Sequence, residues 1–277
     1  MTAPQVAVVT GAGSGIGREL ALACARERMT LVISDIEAAA LAQTQALVEA
    51  LGVPCLAQVC DVSRAADVEQ LAQACWRTWG GVDWLFNNAG VAVLGPAWEA
   101  SEADWQWVLG VNVMGVANGV RSFVPRMLER GAPAHVVNTS SAAGLATVPG
   151  SAVYCATKHA VVAFSECLAK DLEQTGVPIG VSVLCPSLLP TAILRSQRNR
   201  PASLASSAPT AAAYEERVRA GMAASTIGAS DVARMTLEAI HARRFYVIPH
   251  AHTGASVERR TQQILGDFRA VHQEGTR

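Results

Sequence analysis

The strongest constraint on the fold of this chain is a run of glycines set between two apolar segments near its start. Residues 6–9 form a short apolar run ending in Thr10; Gly11, Ala12, Gly13, Ser14, Gly15, Ile16 and Gly17 follow, and residues 18–25 have helical character. The order is strand, glycine turn, helix. Gly11 permits a tight turn, the next glycines let backbone amides approach a bound group, and Gly17 lets the helix pack closely on the strand. A helix that begins this way points its unsatisfied N–H groups at whatever lies over the turn, and that end favours an anion such as a pyrophosphate. The spacing departs from GxGxxG, because Ile16 stands where that pattern needs its third glycine.

Further strand-like runs alternate with helical ones. The expected strands cover residues 6–10, 31–35, 55–60, 84–87, 135–139, 180–185 and 245–249. This interval predicts right-handed crossovers, so the expected fold is α/β, a single-domain, Rossmann-like, doubly wound sheet of seven parallel strands with helices on both faces. Ligands of such sheets bind outside the carboxyl ends of the strands, and Gly11, Asp35, Asp61, Asn88, Ser141 and Pro186 fall at those ends.

Composition narrows the function. At 277 residues and 51% hydrophobic, the chain can bury a sizeable core without metal or disulfide. A formal net charge of -1 gives no global field to attract nucleic acid or an anionic membrane, so neither is an expected partner. The seven cysteines include no CxxC, and Cys24, Cys155 and Cys185 sit among alanine, valine and leucine, as small buried hydrophobes do in a reducing compartment. His250 and His252, two residues apart with no third ligand nearby, read as a solvated loop end rather than a zinc site, and no metal is expected. No apolar stretch reaches eighteen residues and no leader precedes the first strand, so the expected location is cytoplasmic, away from the membrane.

Three further positions carry chemistry. Asp35 ends the second apolar run, eighteen residues beyond Gly17. In a βαβ dinucleotide site a carboxylate there accepts hydrogen bonds from the adenosine ribose and repels a 2′-phosphate, which predicts NAD over NADP. The same residue is placed to cap a helix expected over residues 36–51, and both roles are compatible. Tyr154 and Lys158, four residues apart, share one helix face, with Ser140 and Ser141 fourteen and thirteen residues upstream. A neighbouring ammonium favours phenolate. Making a tyrosine that titrates near 10 a usable base at neutral pH takes roughly 4 kcal/mol, more than one lysine supplies, so a positively charged nicotinamide ring is expected alongside.

In combination these residues resemble the short-chain dehydrogenase/reductase family over about residues 6–249. The resemblance rests on the glycine turn from Thr10 to Gly17, Asp61 followed by Val62, the sequence Asn87, Asn88, Ala89, Gly90, then Asn112, a serine before Tyr154, the Tyr154 and Lys158 pair, and Pro186 leading to Thr191. It implies an oxidoreductase that passes a hydride between a nicotinamide cofactor and a secondary alcohol or ketone. Residues 1–250 would then be the dinucleotide-binding and catalytic domain, with a substrate lid over about 191–229, and residues 251–277 a C-terminal helical extension.

The implied catalytic residues are Asn112, Ser141, Tyr154 and Lys158. Tyr154 serves as acid and base, Ser141 rather than Ser140 positions the substrate oxygen, and Lys158 lowers the tyrosine pKa and holds the nicotinamide ribose. Asn112 holds a water that relays the proton, although it also reads as an ordinary helix amide needing partners beside Val111 and Val113. The implied cofactor contacts are Gly11, Ser14, Gly15, Ile16, Gly17 and Asp35, with Asp61 and Val62 at the adenine and Asn88, Ala89 and Gly90 on the adenosine side. Tyr154 and Lys158 add to these, and Leu189 and Thr191 reach the nicotinamide carboxamide. One departure is Ser187, where the family has glycine after the proline. Serine at positive φ would be strained, so an ordinary φ is expected there.

Substrate identity is less marked. Segment 191–229 carries Arg195, Arg198, Arg200, Arg217 and Arg219 against Glu215 and Glu216, which form a solvated face or recognise an acidic substrate. Residues 112–127 resemble a branch that oxidises bulky aryl-substituted secondary alcohols, so a bulky or hydrophobic substrate is expected. Trp98, Trp105 and Trp107 line an aromatic pocket or an oligomer face, with core packing for at least one of them. Family members pair helices near residues 101–114 and 154–174 across a two-fold axis, which implies a homodimer or homotetramer. Val257, Ile264, Leu265, Phe268 and Val271 recur at helical spacing and are expected to pack on the lid or on a neighbouring subunit. Two other functions stand beside the enzyme. A non-catalytic NAD(P)-binding sensor would not need Ser141, Tyr154 and Lys158 together, and a sugar-nucleotide epimerase or dehydratase spaces its glycines differently.

Overall fold

Valine-rich segments build the centre of the molecule, because β-branched side chains suit strands buried on both faces. The structure, a computed structural model, describes residues 5–206 and 210–273. Its strands are β1 (Val6–Thr10), β2 (Thr30–Asp35), β3 (Cys55–Val59), β4 (Trp84–Asn87), β5 (Ala134–Thr139), β6 (Ile179–Leu184) and β7 (Tyr246–Val247). They pair in parallel throughout, in the order β3-β2-β1-β4-β5-β6-β7. The strand order reverses between β1 and β4, and the crevice above their carboxyl ends is where a doubly wound sheet binds ligands. The last strand is shorter than the expected 245–249, since Pro249 has no N–H to continue a ladder.

The helices are α1 (Gly15–Arg26), α2 (Ala38–Glu49), α3 (Ala65–Trp79), α4 (Glu102–Leu109), α5 (Gly115–Arg130), α6 (Ala152–Thr175), α7 (Ala211–Ala223), α8 (Ala229–His241) and α9 (Thr253–Gln273). A single π-turn, Gly110–Met114, joins α4 to α5. Alternate residues of β1 serve two cores. Ala7 and Val9 pack with Leu20, Ile33 and Leu237 on one face, while Val6 and Val8 pack with Leu71, Phe123 and Leu168 on the other. Helices therefore cover both faces of the sheet, as expected.

Two glycines fix the turn between β1 and α1. Gly11 adopts φ +66° and its missing Cβ would stand 2.7 Å from Ala89 Cα. A Cβ on Gly17 would fall 2.1 Å from the Gly11 carbonyl oxygen and 2.5 Å from Asn88 Nδ2. Between residues 191 and 229 the chain forms two short 3-10 segments, Ile193–Asn199 and Ala202–Leu204, then α7. On the last helix Ile264, Leu265, Phe268 and Val271 are exposed within the chain. A helical stripe records that a face is apolar and says nothing of what covers it, and here residues 191–206 and 210–229 do not cover these four side chains. No helix among the described residues is long and apolar enough to cross a membrane.

Candidate active site

A cavity of about 440 Å³ opens over the carboxyl ends of the strands. Of the residues singled out from the sequence, Gly11, Ser14, Gly15, Ile16, Gly17, Asp35, Asp61, Val62, Asn88, Ala89, Gly90, Ser141, Tyr154, Lys158, Leu189 and Thr191 all line it, and Asn112 does not.

At one end lies the start of α1. Ser14 precedes the helix in extended conformation, makes no side-chain cap, and the first turn contains no acidic residue. Its leading amides are therefore left to an anion. Asp35, at the tip of β2, accepts from Gly13 N at 2.8 Å and from Glu37 N at 2.9 Å. It does not cap α2, whose N-cap is Glu37, and its carboxylate keeps acceptor capacity toward the cavity. Asn88 joins β4 to the glycine turn by donating to the Thr10 carbonyl at 3.0 Å. Asp61 accepts from the Ser63 hydroxyl at 2.7 Å, and the Val62 carbonyl is held by Asn118 Nδ2 at 2.9 Å. Asn118 escaped the sequence reading because its partner lies 56 residues away.

At the centre, β5 ends in the two serines. Ser140 donates to the Lys158 carbonyl at 2.7 Å and is spent on α6. Ser141 donates to the Pro186 carbonyl at 3.2 Å and accepts from Ala143 N, so it is the serine free to shift its hydroxyl toward a ligand. Lys158 sits one turn from Tyr154, its Nζ 5.6 Å from the phenol ring centroid and 2.9 Å from the Thr139 carbonyl to which it donates. Burial pushes the Tyr154 phenol up to about 12, with the hydrogen bond from Ser141 pulling the other way. Burial likewise brings the Lys158 ammonium down to about 8. The expected lowering of the tyrosine by Lys158 is thus not what the protein alone produces. Removing water from a phenolate costs more than an ammonium at that separation returns.

Asn112 is buried in the π-turn. Its amide donates to the Val91 carbonyl at 3.0 Å and to Thr157 Oγ1 at 3.1 Å, while Oδ1 accepts from Val91 N at 2.9 Å. Both donors are committed, so the side chain clamps the wall of the cavity to α6.

The far end of the cavity is walled by Val91, Leu94, Trp107, Val148, Leu188, Leu194, Val218 and Met222. Trp107 is buried while Trp98 is 86% exposed, which separates the roles that sequence left joined. Among the arginines of residues 191–229, Arg195, Arg217 and Arg219 are exposed, as a solvated face requires, whereas Arg198 and Arg200 have partners elsewhere in the fold. Arg198 pairs with Glu37, which also accepts from Asn199 at 2.9 Å. Arg200 forms a 2.6 Å ion pair with Asp104 in which both side chains are at most 5% exposed, and it stacks over Trp107. Burial alone would raise Asp104, but hydrogen bonds from Ser101 and Arg200 outweigh it and hold the carboxyl below its ordinary value. Ser187 has no positive φ, as expected. His250 is buried rather than solvated, and accepts from Ser187 N at 3.1 Å. His252, expected at a solvated loop end, lines the cavity, as do Thr253 and Ser256, which no pattern in the sequence marked.

Residues 5–202 match the family described as short chain dehydrogenase. The chain belongs to the short-chain dehydrogenase/reductase family. A short-chain dehydrogenase/reductase from Burkholderia phymatum, solved in complex with NAD, aligns with a TM-score of 0.93 at 44% identity over 95% of each chain. The CLA biosynthesis dehydrogenase/reductase of Lactiplantibacillus plantarum is 30% identical over 270 residues, covering 95% of this chain and 94% of that protein. The 1-deoxy-11-beta-hydroxypentalenate dehydrogenase of Streptomyces exfoliatus is 35% identical over 249 residues, covering 89% of this chain and 83% of that one. This dehydrogenase is accordingly an NAD(P)-dependent oxidoreductase acting on CH–OH groups.

Proposed function

We propose that this dehydrogenase interconverts bulky, apolar secondary alcohols and their ketones using NAD. The observation that carries the reading is one cavity holding Ser141, Tyr154 and Lys158 between an anion-ready helix start with Asp35 and an apolar far wall. The leading amides of α1 would hold the pyrophosphate, Asp35 the adenosine ribose, and Asp61, Val62, Asn88, Ala89 and Gly90 the adenine side. Tyr154 and Lys158 would hold the nicotinamide ribose, and Leu189 and Thr191 the carboxamide. Bound there, the nicotinamide supplies hydride transfer to or from the carbinol carbon.

The residues of the chain handle the proton. Ser141 orients the substrate oxygen, and Tyr154 takes the hydroxyl proton in oxidation or gives it in reduction. The neutral phenol favoured by burial is the form that reduction needs. Oxidation needs positive charge beside the phenol beyond what Lys158 gives. Asn112 supports the site through Val91 and Thr157. The NAD preference follows from Asp35, whose carboxylate would repel a 2′-phosphate. We also infer a homodimer or homotetramer assembled through α4 and α6, as the family resemblance implies; light scattering of the purified protein tests it.

The test of function is NADH absorbance on mixing the protein, NAD and secondary alcohols graded by size. Turnover that grows with the apolar bulk of the alcohol is expected. Binding of NAD without turnover of any member would instead mark a cofactor sensor.

A further inference from the structure

The apolar end of the cavity contains one polar group of residues that the family match at 5–202 does not reach. His252, Thr253 and Ser256, where the chain passes from β7 into α9, line the cavity beside Ser187. His252 Nε2 lies 2.9 Å from Ser187 Oγ, and Ser187 N donates to His250 Nδ1 at 3.1 Å. Ser187 is therefore held at both its main chain and its side chain by one histidine pair, whose rings meet edge-on at 5.6 Å. Because His250 Nδ1 accepts, the neutral ring carries its proton on Nε2, and burial keeps this histidine below its ordinary pKa.

Position gives the group its meaning. The preceding residue, Pro186, accepts the Ser141 hydroxyl at 3.2 Å, and consecutive Cα atoms are about 3.8 Å apart. Ser187 thus follows directly on the residue whose carbonyl receives the hydroxyl of Ser141, the serine that orients the reacting oxygen. The apolar lining residues Val148, Leu188, Val218 and Met222 offer no side-chain hydrogen bonds. Arg198 pairs with Glu37, and Arg200, paired with Asp104, does not line this cavity. A hydroxyl both donates and accepts, so whichever way the proton lies between Ser187 and His252, the serine retains a function for a ligand oxygen. Thr253, buried on the same wall, has a hydroxyl without a partner, and buried hydroxyls are as a rule hydrogen-bonded.

We propose that Ser187 and His252 are specificity-determining residues that bind a second oxygen, hydroxyl or carbonyl, on the carbon next to the carbinol. The preferred substrate is then a bulky apolar vicinal diol or α-hydroxyketone. This rests on the dehydrogenase reading above.

The test compares an aryl alkyl carbinol with the same carbinol bearing a hydroxyl on the neighbouring carbon. In the wild type, kcat/KM favours the diol by about tenfold, the value of one or two good hydrogen bonds. His252→Leu and Ser187→Ala each bring that ratio toward one, and His252→Gln, which keeps an N–H donor, recovers part of it. His252 is exposed, so its replacement should not unfold the protein, and melting curves check this. A wild-type ratio of one overturns the proposal, as does a ratio that survives both variants. If the variants raise KM for NAD with the ratio unchanged, the pair serves the cofactor and the proposal also fails. If the wild type oxidises neither alcohol, the dehydrogenase reading on which the proposal rests falls with it.

Discussion

The two ends of the cavity are built on different principles. At the dinucleotide end, main chain and short side chains from the tips of β1, β2 and β4 converge, and the sheet register sets their spacing. Gly17 shows how little room is left, since any Cβ there would collide with a carbonyl 2.1 Å away. At the substrate end, the irregular segments Ile193–Asn199 and Ala202–Leu204 and the entry to α9 are held by individual side-chain pairs, Arg200 with Asp104 and His252 with Ser187. Backbone spacing tolerates few substitutions, whereas a side-chain pair can be exchanged for another without disturbing the sheet. One end thus suits an invariant cofactor, and the other suits change of substrate.

The largest expected effect lies between the two ends. Tyr154→Phe removes the acid/base group and should lower kcat/KM about 10²-fold to 10⁴-fold in either direction; near-normal NADH formation would break the assignment. The intact residue also sets a pH dependence. A phenol pushed up to about 12 is neutral at pH 7, so the phenolate fraction grows as pH rises. Alcohol oxidation should therefore climb from about pH 6 toward 10 while ketone reduction gains nothing. Loss of the Lys158 charge above about 8 would flatten the climb without reversing it, and an oxidation rate falling from pH 7 upward would contradict the assignment.

The two ends can then be compared directly. Arg200→Met leaves the buried Asp104 charge without its cation and should cost about 3–5 kcal/mol, read as a lower melting temperature, with part of it restored by adding Asp104→Asn, which removes the charge and keeps an acceptor for Ser101. That rescue would show that the substrate end is held by an exchangeable pair. Gly17→Ala should cost about 1–3 kcal/mol and weaken NAD binding, and no second-site side chain should rescue it, because the clash is with backbone. Asp35→Ala is the mildest change. It should narrow the NAD advantage over NADP by about tenfold in kcat/KM, and an unchanged ratio would remove Asp35 from cofactor choice.

Local patterns in the sequence determined much of this protein. The strand, glycine turn and helix at the start, the alternation that gives seven parallel strands, and the four-residue spacing of Tyr154 and Lys158 all depend on neighbours a few positions apart. Period and spacing therefore indicated the fold, the glycine turn, Asp35 and the Tyr154 and Lys158 pair, and the family resemblance added the other cofactor and catalytic residues, of which all but Asn112 line the cavity. Other features depended on partners that only folding brings together. His250 is buried because Ser187, 63 residues earlier, reaches its ring, and Arg200 leaves the solvent because Asp104, 96 residues away, receives it. Asn112 has no free donor because Val91 and Thr157 use its amide. The resting state of Tyr154 was decided in the same way. Sequence placed a cation one turn from the phenol, but the cost of charging the phenol depends on how much water surrounds it, and only the packed structure sets that.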